Sequence, residues 1–132
     1  MSTTEHPGSV PDKQNLDALF AGITEHWKPI VAASPNGQHV RLAKLKGAFD
    51  WHHHADEDEL FLVNRGTLTI EFRDGAGGVQ PVCLAPGEFL VVPRGVEHRP
   101  VADEEVECLI FEPAGTLNTG NLRNERTVDL SG

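Results

Sequence analysis

The sequence predicts an all-β domain, an antiparallel sandwich or barrel preceded by one short helix. Three observations carry this expectation. From His39 onward about eight short extended segments follow one another, separated by turn residues. No helical periodicity falls between them. The 132 residues, 39% hydrophobic and 23% charged, have the size and balance of one ordinary domain with a closed core.

Residues 1–14 carry Pro7, Gly8, Ser9 and Pro11 with little apolar content and read as a mobile lead-in. Leu16, Leu19, Phe20, Ile23 and Trp27 then recur at three- and four-residue spacing. That is one apolar helix face, with Asn15 as the N-cap and Pro29 as the stop, expected to pack on the outside of a sheet. The expected strands are Val40–Leu45, Phe49–His54, Leu60–Asn64, Thr67–Phe72, Val79–Leu84, Phe89–Val92, His98–Ala102 and Glu105–Phe111. Asp74-Gly75 and Gly77-Gly78 mark a hairpin tip, where glycine enters positive φ without a Cβ penalty. Gly66 relaxes a tight turn between strands, and Pro93 and Gly95 punctuate the later ones. Phe61, Val63, Leu68, Ile70, Phe72, Leu90, Val92, Leu109 and Phe111 are the candidates for an apolar interior, although alternation alone does not say which face each takes. The tail after Pro113 is polar and aperiodic, so it either lies along the body or extends onto a neighbouring subunit. The chain thus divides into a lead-in and helix (1–38), a barrel (39–113) and a C-terminal extension (114–132).

The formal charge of −9 repels phosphate backbones and anionic lipid, which argues against nucleic acid and membrane partners. No apolar run approaches the roughly 20 residues of a membrane-spanning helix. Met1–Lys13 shows no basic start followed by an apolar block, so a cytoplasmic protein is expected. Cys83 and Cys108 sit in apolar runs and read as small buried thiols.

The chemistry concentrates in His52-His53-His54, followed by Glu59 and, much later, His98. On an extended segment Asp50, His52 and His54 share one face while His53 takes the other. Two imidazoles at i and i+2, about 7 Å apart, suit a chelating pair. Glu59 follows after a short turn and can face back toward them, with Glu57 as the alternative if the register differs. His98 supplies a third imidazole, and three neutral imidazoles with one carboxylate leave a divalent first-row ion with a net charge of about +1. Asp56, Glu57 and Asp58 otherwise read as a solvated acidic turn.

This pattern resembles the cupin superfamily. Its first motif is matched by Gly47, His52, His54, Glu59 and Gly66, with one residue fewer after the first glycine. Its second is matched by Gly87, Pro93, Gly95 and His98, while Ala102 stands where asparagine is expected. The resemblance covers roughly residues 39–112. It implies a double-stranded β-helix, or jelly-roll barrel, holding a divalent metal (Fe, Mn, Ni or Zn) on His52, His54, Glu59 and His98. The stretch from Trp51 to Asp74 and the ending Glu112-Pro113-Ala114-Gly115 look like small single-domain bacterial cupins, some of them labelled mannose-6-phosphate isomerase-like.

The expected function is a metal-dependent enzyme acting on a small molecule, of dioxygenase or sugar isomerase and epimerase type. The alternative is a non-catalytic module binding a sugar or organic anion beside a structural metal. Asp50 is the one further acid expected on the ligand face, Lys44 and Lys46 the cations within reach, and Arg99 points away. Open-barrel strands pair across subunits, so a homodimer is expected.

Overall fold

A computed structural model of the chain describes residues 10–130, and most of the expected lead-in, residues 1–9, lies outside them. Asn15 is extended, and its side chain accepts a hydrogen bond from the Ala18 N–H at 2.9 Å, so it caps helix α1 (Leu16–Ala21) as expected. The helix is shorter than its apolar spacing suggested. Gly22 closes it by donating to the Leu19 carbonyl, and Trp27 takes a positive φ of 63° that no helix admits. Leu16, Leu19, Phe20 and Ile23 nevertheless pack together on Leu42, Ala32 and Leu109, on the outer side of the sheet.

Seven strands follow: β1 (Ile30–Ala33), β2 (Gln38–Ala48), β3 (Glu59–Arg65), β4 (Leu68–Arg73), β5 (Val79–Leu84), β6 (Phe89–Val92) and β7 (His98–Pro113). All their pairings are antiparallel. The order β1-β2-β7-β3-β6 forms one layer, and β4 joins β5 to β7 in the other. The 16-residue β7 serves both: its later half ladders with β2 and β3, and its first half with β4 and the end of β2. The exposed residues 103–105 lie where the register against β2 shifts, and this bend separates the halves. This is the all-β jelly roll that the motifs imply.

Three expectations about strands need correction. β1 lies past the expected helix stop at Pro29, in a stretch where no strand is expected. The segments His98–Ala102 and Glu105–Phe111 are one continuous strand. Phe49–His54 is not a strand, because the chain there leaves the β2 ladder to cross one end of the barrel, held by an isolated bridge from His52 to His98 and single backbone bonds at Phe49 and His54.

Gly66, between β3 and β4, is required twice over. Its φ is +89°, and a Cβ there would stand 2.7 Å from the Glu105 carbonyl oxygen, so the turn packs directly on the bend of β7. The β4–β5 hairpin closes through Asp74, whose Oδ1 accepts from Ala76 and Gly78 N–H at 2.9 and 2.8 Å.

Between the layers Ala43, Leu45, Phe61, Val63, Leu68, Ile70, Val92, Val106, Cys108 and Ile110 form the core. Full burial of each large side chain among them is worth about 1.5–3 kcal/mol. Phe72 and Leu90 are only partly buried, Leu109 turns to the helix side, and Phe111 faces outward at 36% exposure. Cys83 also departs from expectation: β5 is exposed along nearly its whole length, and this thiol with it, whereas Cys108 is buried and both are free. Among the described residues no helix is long and apolar enough to cross a membrane.

Candidate metal centre

Four side chains from separate places in the sequence meet inside one end of the barrel. His52 and His54 come from the segment joining β2 to β3, Glu59 opens β3 and His98 opens β7. All four are buried, at 2%, 3%, 3% and 0% exposure. One donor atom from each lies within 4.8 Å of the others.

Backbone pairing creates this convergence. His52 donates to the His98 carbonyl at 3.0 Å and His98 returns the bond at 2.9 Å, as two directly opposed antiparallel residues do. That single bridge places both imidazoles on the inner face, ring centroids 4.4 Å apart. Alternation survives locally without a regular strand, so His54 also turns inward and His53 outward. The Gly95 N–H donates to the His54 carbonyl at 2.7 Å and anchors the far end. Glu59 begins the inward-facing row that continues through Phe61 and Val63 and lies in the cluster, whereas Glu57 is half-buried outside it.

The ring nitrogens show what the cluster accommodates. His52 Nδ1 donates to the Asp50 carbonyl and His98 Nδ1 to the Val96 carbonyl, each at 2.9 Å. A carbonyl only accepts, so in each neutral ring the proton sits on Nδ1 and Nε2 presents a lone pair. His98 Nε2 stands 3.2 Å from Glu59 Oε1 and His54 Nε2 3.1 Å from the same oxygen. The His54 approach lacks hydrogen-bond geometry, and neither of its ring nitrogens has a hydrogen-bond partner among the described residues. Buried acceptors therefore face one another, an arrangement that a proton or a cation between them relieves. Carbonyl-anchored imidazoles with free Nε2, beside a carboxylate, are a fitting donor set for a divalent first-row ion.

The electrostatics agree. Burial, then the neighbouring His98, lowers His52 to about 4 and keeps its ring neutral. Burial opposes the imidazolium of His54, but Glu59 outweighs it and raises that group. Burial alone would raise Glu59; His54 and His98 hold its carboxyl far below the usual range.

Sequence reasoning missed a second charged pair beside the cluster. Arg41 on β2 and Glu112 on β7 meet at 2.7 Å with both side chains 1% exposed. Arg41 also donates to His39 Nδ1 and the Ala114 carbonyl, each at 3.1 Å. Burial first, then the nearby Glu59 charge, pushes Glu112 well above the usual carboxylate range against the pull of Arg41, and its Oε1 has no hydrogen-bond partner among the described residues. The available signal was parity: Arg41 shares a face with Ala43 and Leu45, and Glu112 with Cys108 and Ile110.

Glu112, His52 and Glu59 line a cavity of about 430 Å³, counting the part open to solvent. Its remaining walls are mostly apolar: Trp27, Pro29, Ala43, Leu45, Phe49, Phe61, Pro100 and Ile110, with Asn118 from the tail. Trp27 and Phe49 stack at 4.8 Å. Neither Lys44 nor Lys46 reaches it; they lie outward on β2 and at its exposed end. Asp50 does not reach it either, because its carboxylate turns to Asn124 at 3.1 Å and Arg126 at 3.9 Å. Arg99 points away as expected, bonded to Glu71 at 2.7 Å. The tail lies along the body: Asn121 and His53 exchange hydrogen bonds at 2.9 and 3.0 Å.

A family model described as the cupin domain, Cupin_2, matches residues 38–112. Protein YdbB of Bacillus subtilis (strain 168) is 40% identical over 86 residues, 65% of this chain and 73% of its own length. Among solved structures, a cupin-2 domain protein of Shewanella frigidimarina is 45% identical with a TM-score of 0.71, covering 76% of this chain and 93% of that one. Hydroquinone 1,2-dioxygenase PnpCD, solved with Cd2+ and 4-hydroxybenzonitrile, has a TM-score of 0.63 at 19% identity, covering 82% of each chain. That last likeness is one of fold.

Proposed function

The chain belongs to the cupin family, and from that premise we propose a metal-dependent enzyme acting on a small molecule, with His52, His54, Glu59 and His98 as ligands of one divalent ion. The observation that carries this reading is the convergence of imidazole lone pairs on a buried carboxylate at the wall of a cavity. A divalent ion held there would polarise a substrate oxygen, and a redox-active one would add electron transfer with dioxygen.

The protein's own residues narrow the substrate. Trp27, Phe49, Phe61 and Ile110 present apolar surface that suits an uncharged or flat organic molecule of modest size. Among the described residues, Arg41 beside the cluster is bound to Glu112 and the Ala114 carbonyl, and Arg126 at the cavity mouth lies over the Trp27 and Phe49 rings. A sugar phosphate would find no partner for its charge among the described lining residues, so the oxygenase reading is favoured over the phosphosugar isomerase one. The free thiols of Cys83 and Cys108 suit the reducing cytoplasm.

A non-catalytic binding module is the second reading. It draws support from Asp50 being engaged elsewhere and from a chain without tyrosine, which leaves few groups for proton transfer. Oxygen consumption by the Fe(II)-loaded protein across catechols, thiols and keto acids, run beside an aldose–ketose panel with Mn, Ni and Zn forms, separates the two. Turnover of any of these supports the enzyme. Silence in every metal form, with a ligand still raising the melting temperature, supports the binder.

A further inference from the structure

The C-terminal segment is built as a separate small structure seated on the cavity mouth. Asn118 staples its two ends, with Nδ2 donating to the Arg126 carbonyl at 2.6 Å and Oδ1 accepting from the Val128 N–H at 2.8 Å. Thr119 Oγ1 reaches the Leu122 carbonyl and Thr127 Oγ1, each at 2.7 Å. The loop thus holds its own shape, as compact surface loops do.

Its hold on the barrel is different in kind. The Asn121–His53 exchange and the bond from Asn124 to Asp50 are exposed polar contacts. Arg126 donates to the Ala48 carbonyl at 3.1 Å, and its guanidinium lies 5.6 Å from the Trp27 ring and 5.2 Å from the Phe49 ring. Those two rings are walls of the cavity, and Asn118 is a third. Gly120 sits against the backbone of His53, where a Cβ would collide with the carbonyl oxygen and stand 2.9 Å from Cδ2 of His52.

We propose that residues 116–128 form a strap that controls entry to the cavity, with Arg126 as its clasp on Trp27 and Phe49. A loop that holds its own shape, fastened to the barrel by the exposed bonds of Asn121, Asn124 and Arg126 and by the cation–π contacts of Arg126 with two rings, can lift as a unit while the barrel beneath stays folded. The inference rests on reading the cavity as the ligand site, but its motion is testable without a ligand.

With Trp51 replaced by phenylalanine, Trp27 is the sole indole of the chain. In that background, Arg126→Ala is expected to raise the acrylamide quenching constant of Trp27 about threefold, and Gly120→Ala to do the same by unseating the loop. In zinc-loaded protein, Arg126→Ala is expected to speed zinc capture by 4-(2-pyridylazo)resorcinol by about three- to tenfold, with zinc stoichiometry unchanged. Arg126 is a partly exposed side chain, and far-ultraviolet circular dichroism checks that its variant keeps the fold. Unchanged quenching and unchanged capture in Arg126→Ala would overturn the strap and leave a static wall. Should the wild-type protein bind no zinc or other divalent ion, the proposed function fails while the quenching comparison still decides this one.

Discussion

Replacing Glu112 by leucine tests the buried Arg41–Glu112 pair, the element that sequence reasoning missed. Both side chains are 1% exposed and meet at 2.7 Å. Leucine removes the carboxylate and leaves the guanidinium holding two neutral acceptors, His39 Nδ1 and the Ala114 carbonyl. Stranding a buried charge in this way costs about 3–5 kcal/mol. For a chain of this length that lowers the melting temperature by roughly 10–20 °C. Replacing both partners, Arg41→Met with Glu112→Leu, removes the stranded charge together with its partner and is expected to recover most of the loss. Urea unfolding of the metal-free wild type, the two single variants and the double variant gives the coupling as a double-mutant cycle. A coupling of at least about 2 kcal/mol is expected. Additive losses, with the double variant as damaged as the sum of the singles, would refute the pairing as the reason these charges are buried.

Thiol titration with a disulfide reagent should label one cysteine of the native protein promptly, the exposed Cys83, and the second only on unfolding; burial raises the Cys108 thiol far above its ordinary range, so prompt labelling of two would contradict the packing. A homodimer is expected from the outer face of the sheet, where Phe111, Leu60 and Val91 stand in register across β7, β3 and β6, with Phe89 beside them at 61% exposure. Light scattering at roughly tens of micromolar should give twice the chain mass, and Phe89→Glu with Val91→Glu should give the monomer; a monomeric wild type would sink this.

How much of this was legible in advance depends on what kind of signal each residue carries. The clustering of His52, His54, Glu59 and His98 was legible because the order and spacing of two motifs resemble those of the cupins, and one backbone bridge brings the second motif against the first. The helix was overextended because Ile23 and Trp27 keep the apolar spacing after Gly22 has already closed the last turn. Trp27 instead reaches the cavity through a positive φ, a conformation its residue type does not announce. Asp50 was misplaced because alternation was carried across a segment that is not a strand. Arg41 and Glu112 were hidden for a deeper reason: period two sorts residues into two faces without saying which is inside, and only the register of β2 on β7 does. The join of β7 escaped because exposed acidic residues 103–105 read as a loop when they are the outer side of a bend.

The proposed centre is one cation on four donors from three elements, and His98 is the donor most remote in sequence from the rest. Elemental analysis of protein purified without a polyhistidine tag should find about one divalent first-row ion per chain in the wild type, and far less in a folded His98→Ala variant. Equal metal content in the two proteins would contradict it.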